Sequence, residues 1–366
     1  MTIKRQILNF NQHTVDVRMG SEIMDELPRL IASAVGKPRR ALLVTSDAGV
    51  AERTEEVRRA LIDAGFAVQT YAPVTSVDVG IASVDAAQGL FGALEEANIT
   101  NDDLVFALGS YELCSLAAFC ARLWRGGCAS ALMPMGLDGM VLLATEMHPL
   151  AAGFVPDAVS FKADPTMVLC DLSLLPVMER EHLLVGYALM AGAAMAEGKK
   201  TWTNLCEQAA ALASGDELAV KEALSAAQVA RRNVLKSPNP SARHALEYGR
   251  TAARALASCV ESDTPASVLL AEGMRFEARL AVDAAGLDPE LVFDQDDLLF
   301  DLGIEEASLT LDAEALANAM REVRARYSNR FLLPLPKSAG MIRLTSVSDE
   351  ILERHAAAYA ASLCSE

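Results

Sequence analysis

The sequence predicts an α/β domain with a doubly wound, mainly parallel sheet, followed by an α-helical domain. Over residues 1–170, short apolar runs alternate with amphipathic helical stretches, the rhythm that builds parallel sheets. After Asp171 strand signals nearly vanish, and long stretches rich in Ala, Leu and Glu replace them through residue 366. The expected domains are therefore 1–170 and 171–366, a division that suits a chain of this length.

In chain order, residues 14–19 alternate and predict an early strand. Residues 40–45 (RALLVT) form an apolar run suited to a strand buried on both faces. Ser46-Asp47 then offers a helix cap, and residues 50–64 place Val57, Ala60, Leu61 and Ala64 on one helical face. Gly65 stops that helix. Residues 66–71 (FAVQTY) predict a strand, 84–97 a helix and 103–108 (DLVFAL) another buried strand. In the second domain, helices are predicted over 181–200, 202–213, 216–236, 241–260, 264–285, 312–327 and 349–363. One extended pair remains, at 330–335 and 341–344.

The 366 residues are 52% hydrophobic and 22% charged, a globular balance and not a disordered one. A net charge of −17 argues against nucleic acid and against an anionic membrane surface as partners, because both repel that field. A small anionic ligand responds to local charge and stays admissible. The seven cysteines are scattered, with no C-x-x-C, and read as small buried hydrophobes in a reducing cytoplasm. The start, MTIKRQILNFNQHTV, has no apolar signal region, and the uncharged run 183–196 is shorter than the ~20 residues that span a bilayer.

A ligand of such a chain is expected in a cleft between the domains, off the C-terminal strand ends. The best candidate for a phosphate-cradling turn is Gly109-Ser110-Tyr111-Glu112. It holds one glycine, and Tyr and Glu stand where backbone has to approach a pyrophosphate. An ordinary strand-to-helix turn explains it as well. The five histidines include no pair at helical i+3 or i+4 spacing, and His148, before Pro149, reads as a loop residue. Arg243, Arg250 and Arg254 fall at i, i+7 and i+11 of the predicted 241–260 helix, on one face. Three guanidinium groups there can hold a phosphate or carboxylate by paired hydrogen bonds. Glu247, four residues from Arg243 and three from Arg250, offers the alternative of a solvated ion-pair ladder.

The order of segments resembles the dehydroquinate synthase family over nearly the whole chain. VDVRMGSEIMDEL is similar to the family's opening strand and helix, and ALLVTSDAGV with LIDAGFAVQTY to its first nucleotide-domain unit. LEEANITNDDLVFALGS resembles the helix and strand before its Gly-rich turn, and MVLCDLSLLP the entry to its helical domain. SARHALEYGRTAARALAS falls where the family has its two-histidine helix, and LANAMREVRARYSNRFLLPLPKSAGMIRL resembles its C-terminal basic helix and hairpin. The resemblance implies a dehydroquinate synthase-like fold, with a Rossmann-like first domain and a metal- and substrate-binding helical domain. Family members bind NAD and one divalent metal, usually zinc. They convert a phosphorylated seven-carbon sugar acid (DAHP) to dehydroquinate in the shikimate pathway of aromatic amino acid biosynthesis. The resemblance also implies a homodimer.

At the family's functional motifs the sequence departs. The triple-glycine turn becomes Ala107-Leu108-Gly109, and the upstream acidic and lysine pair falls near Val79 and Ala82. A later aspartate and lysine fall near Leu142 and His148, and a Lys-Asn pair near Pro156-Asp157. The metal-binding glutamate and its neighbouring lysine fall near Gly186 and Leu189. The two histidines of the G-H-T-x-x-H helix become Arg250 and Arg254, and the H-G-E motif falls near Ala266-Ser267-Val268. Of the anion-binding residues Arg243 is kept, and Arg324 stands for a C-terminal lysine. Guanidinium groups stay protonated and repel a dication. Without metal the Lewis acid is gone, and without the glycines NAD loses its close approach. No catalytic residue is assigned, and both family cofactors, NAD and Zn, are expected to be lost.

Whether the chain is an enzyme stays open at this point. One function is a catalytically degenerate homologue acting as partner or regulatory subunit of a true dehydroquinate synthase or another shikimate-pathway enzyme. Another is a metal-independent enzyme that clamps a small anionic sugar or acid with Arg243, Arg250 and Arg254. The third is an active dehydroquinate synthase, a phosphate-eliminating carbon–oxygen lyase, with relocated ligands.

Overall fold

The computed structural model describes residues 3–35, 39–46, 51–74, 80–153, 155–162 and 164–363. Asp47 and Val50, which begin the helix predicted over 50–64, lie outside the described residues, as do Val79 and Cys364. The chain divides into two compact units, Met1–Met178 and Glu179–Glu366.

The first unit runs β1 (Lys4–Asn9), β2 (Thr14–Gly20), α1 (Ile23–Val35), β3 (Arg40–Thr45), α2 (Ala51–Asp63), β4 (Ala67–Tyr71), α3 (Val84–Glu96) and β5 (Leu104–Gly109). It continues with α4 (Tyr111–Leu123), β6 (Ala129–Pro134), α5 (Leu137–Leu142), β7 (Met147–Ala152), β8 (Val155–Lys162) and β9 (Met167–Asp171). Seven strands form one sheet in the order β1-β2-β9-β6-β5-β3-β4. β1 pairs antiparallel with β2, and every other pairing in that sheet is parallel.

The central strand β5 is buried at every position because helices cover both faces of the sheet. Leu104, Phe106 and Leu108 share a core cluster with Ile23 and Leu27 of α1 and Val57 and Leu61 of α2. Alternation turns Val105 and Ala107 to the opposite face, where α4 packs with residues 113–121 buried.

β7 and β8 form a separate antiparallel ribbon with His148 opposite Phe161. His148 is thus a fully buried strand residue, not a loop residue. Pro149 pairs in register with Ser160, and proline is tolerated because a two-stranded ribbon consists of edges. The His148 Nδ1 lies 2.7 Å from Ser115 Oγ on α4. Burial pushes the imidazole down to about 4, against an ordinary value of 6.5. A neutral buried histidine stabilises above the unfolded value and is lost as pH falls through 6.5 towards 4. The first unit is expected to lose about 3 kcal/mol from this group across that window. In a Trp202→Phe background, urea unfolding followed by Trp124 fluorescence at pH 7 and pH 4.5 checks it, with His148→Asn showing the shallower pH dependence.

The division between units falls after Met178, eight residues beyond the predicted 170/171 boundary. Leu172, Leu174 and Leu175 of the 3-10 stretch Leu172–Val177 are buried. Asp171, also buried, lies 3.3 Å from Arg53 of α2, which ties this stretch to the first unit.

The second unit holds α6 (Arg180–Glu197), α7 (Lys199–Ala213), α8 (Glu217–Leu235), α9 (Pro240–Arg243), α10 (Arg250–Ala257) and α11 (Ala266–Ala285). It ends with α12 (Pro289–Asp301), α13 (Ala313–Ala325), β10 (Leu332–Ser338), β11 (Met341–Ser346) and α14 (Asp349–Leu363). α6 is buried over most of its length and packs on α7, α8 and α11. β10 and β11 are antiparallel and lie against α6 and α11. Among the described residues no helix is long and apolar enough to cross a membrane.

The helix predicted over 241–260 is in fact three pieces: α9, a 3-10 turn at His244–Glu247, and α10. Gly249 breaks it with a left-handed φ of 79°. That conformation brings Gly249 against Met274 and Gly273 of α11, where a Cβ on Gly273 would sit 2.6 Å from Ala253 N. Tertiary contact with α11 has overridden local helix propensity.

Candidate functional site

In the first unit, β5 ends at Gly109 and α4 begins after the N-cap Ser110. The Ser110 hydroxyl accepts from Leu113 N at 3.3 Å, so a helix N–H that would face a phosphate is already used. Tyr111 Oη donates to Met147 O at 3.3 Å, and Glu112 puts a carboxylate in the first turn. Gly109 O accepts from Met135 N, which draws the 134–137 segment onto the turn. Gly139 lies so close to Pro134 that a Cβ there would sit 2.6 Å from the proline ring. Ala82, the described member of the predicted cofactor pair, gives its carbonyl to Ala151 N. A pyrophosphate needs free N–H groups and no anion beside it. The residues around Gly109 do not fit that requirement.

In the second unit, Arg243, Arg250 and Arg254 do not share one helix. Arg243 ends α9 and is exposed. Arg250 opens α10, is half-buried, and lines a small cavity. Arg254, one turn on, is exposed and lies over the Tyr327 ring at 5.5 Å. Glu247 Oε1 lies 2.9 Å from His244 Nδ1, and Glu247 ion-pairs with Arg324 at 3.6 Å. Arg324 is buried, so it serves as a structural cation beneath α10.

The cavity beside Arg250 is walled by Ala188 and Leu189 of α6, Arg231 of α8, Tyr248, and Met274 of α11. It has room for about one water, about 10 Å³. Arg231 is 1% exposed. Sequence reasoning missed it, because one arginine of an Arg-Arg pair in a long amphipathic helix looks like a solvated residue. The detectable signal was its place on the apolar stripe with Ala227, Ala230 and Val234.

A buried acid organises the same region. Glu277 of α11 accepts from Gly249 N at 2.7 Å and from Ala252 N at 3.1 Å, which caps α10 from another helix. Burial pushes its carboxyl up to about 8 against the pull of these donors and of Arg324. Tyr248 Oη donates to Gln295 Oε1 at 2.7 Å, and burial raises its phenol. Further along α11, Glu272 and Arg275 form a buried pair at 2.6 Å, and Tyr359 Oη donates to Glu272.

These groups do not make a metal site. Among the described residues no three His, Cys, Asp or Glu side chains converge as a metal ion requires. α10 opens on one guanidinium group, Arg250, with Arg254 a turn later, and the nearby acid, Glu277, spends its oxygens on backbone donors. The described cysteines are free, and Cys114, Cys120 and Cys170 are buried. A divalent metal does not fit this donor set.

No family model matches the chain. It is 26% identical to a 3-dehydroquinate synthase of Thermobifida fusca over 303 residues, which is 80% of this chain and 78% of that protein. It is 25% identical to a 3-dehydroquinate synthase of Corynebacterium jeikeium over 342 residues, 91% of this chain and 90% of that protein. A solved 2-deoxy-scyllo-inosose synthase, complexed with carbaglucose-6-phosphate, NAD+ and Co2+, superposes with a TM-score of 0.83. That match covers 96% of this chain and 99% of the other at 13% identity, a likeness of fold. By sequence over most of its length the chain is similar to 3-dehydroquinate synthases, and its fold is that of the solved 2-deoxy-scyllo-inosose synthase.

Proposed function

We propose that this chain is a catalytically degenerate dehydroquinate synthase homologue of the cytoplasm. In this proposal it acts as a partner or regulatory subunit of a true dehydroquinate synthase or another shikimate-pathway enzyme. The observation that carries the proposal is Arg250. A permanent cation opens α10, where the family resemblance calls for a metal-binding histidine, and it borders a cavity with room for about one water, about 10 Å³. The occupied turn at Gly109 supports the loss of dinucleotide binding independently.

The clamp alternative rests on Arg243, Arg250 and Arg254 sharing one helix face, and the break at Gly249 puts Arg243 on a separate helix. The relocated-ligand alternative needs a donor cluster, and none converges among the described residues.

The test is metal analysis of the purified chain together with phosphate release from DAHP in the presence of NAD and added Zn2+. The expected result is well below one metal per chain and no phosphate release above the uncatalysed background. Stoichiometric zinc with NAD-dependent phosphate release would overturn the proposal.

A further inference from the structure

α12 turns its polar arc outward but carries two aromatic rings on it. Phe293 and Phe300 are 66% and 65% exposed. Val292, Gln295, Leu298 and Leu299 fill the inner face, so the helix is anchored without the phenylalanines. Seven residues are close to two full turns, so the rings lie on one line, about 10 Å apart along the axis. Glu290, Asp294, Asp297 and Asp301 are also exposed and make an acidic stripe alongside the aromatic one. Asp294 and Asp301 lie close enough to Cys206 of α7 to bear on its thiol, so the acidic stripe borders α7. On the other margin Asp296 is neutralised by Arg279 at 2.8 Å.

We infer that this face of α12 docks a protein with an apolar groove for the two rings and Lys or Arg along one rim. This rests on the partner-subunit proposal above and names the surface such a partner would use. Charge selects the occupant. A second copy would meet carboxylates with carboxylates, and an anionic lipid or nucleic acid would be repelled. An uncharged groove would strip water from the acidic stripe without return. A basic rim satisfies it and steers the encounter.

The experiment compares the full chain with its Phe293→Ser/Phe300→Ser double variant. Both are titrated with a fluorescent helical peptide of Leu and Lys that has one apolar and one basic face. Both rings are exposed, so the variant should melt like the parent, and its net charge is unchanged. The expected result is a Kd weakened about tenfold or more in the variant, and weakened in the parent when salt rises to 0.5 M. Equal affinity of parent and variant would overturn the inference, and the metal and phosphate-release result would still stand on its own. A parent that sediments as a dimer while the variant sediments as a monomer would also overturn it, because a second copy would then own the face.

Discussion

Gly273→Ala should destabilise the second unit by at least about 3 kcal/mol, or abolish soluble expression. A Cβ at this position would sit 2.6 Å from Ala253 N and 3.0 Å from Ala253 Cβ, with the Gly249 carbonyl also in its way. The obstructing atoms are mostly backbone, so no side chain can rotate aside. Relief requires α10 to move off α11, which withdraws Gly249 and Ala252 from the Glu277 carboxyl. Gly192→Ala in α6 is the control, because a Cβ there meets nothing within 4 Å. It should be neutral or stabilise by up to about 1 kcal/mol through helix propensity. The chain has two tryptophans, Trp124 in the first unit and Trp202 in the second. In a Trp124→Phe background, urea unfolding by Trp202 fluorescence reads the second unit alone.

Glu277 carries the second large effect, and it depends on pH. Its folded value is about 8, against an ordinary 4.5. Between those values the folded state holds a proton that the unfolded chain has released, so stability falls as pH rises from 4.5 to 8 and levels off above. The loss across the window is on the order of 4 kcal/mol. Glu277→Gln keeps the shape and one acceptor but cannot ionise. Its amide NH2 faces the second backbone N–H, so it should be less stable than the parent near pH 5, but its stability should not fall between pH 5 and pH 9. Glu277→Ala should cost about 2–4 kcal/mol at pH 5, because Gly249 N–H and Ala252 N–H lose their acceptor inside the fold. A parent whose second-unit stability is flat from pH 5 to pH 9 would refute the assignment.

How legible these features were in the sequence depended on how local their causes are. β3 and β5 were readable because strands buried on both faces are short continuous apolar runs. β8 was not, because VPDAVSFK is mostly exposed and mixes charge, proline and apolar residues without a clean period. α12 was missed for the reason that makes it interesting. Phe293 and Phe300 sit on the outer arc beside the buried Val292 and Leu299, so the apolar residues clump and the helical period blurs. The arginines at 250 and 254 were visible at once, but their setting was not. The break at Gly249 is fixed by Gly273 and Glu277, more than twenty residues away, and no window of local periodicity contains them. The family resemblance groups Arg324 with the anion binders, and its burial under Glu247 is visible only in the tertiary fold.

The position of β9 bears on how the chain leaves the ribosome. This strand is the last of the first unit in sequence but lies inside the sheet, between β2 and β6. Until Met167–Asp171 has been synthesised, β2 and β6 have no common neighbour, and the nascent sheet stays in two halves with open inner edges. A fragment that stops before β9 should therefore aggregate or recruit chaperones, while one that ends at Met178 has every strand it needs.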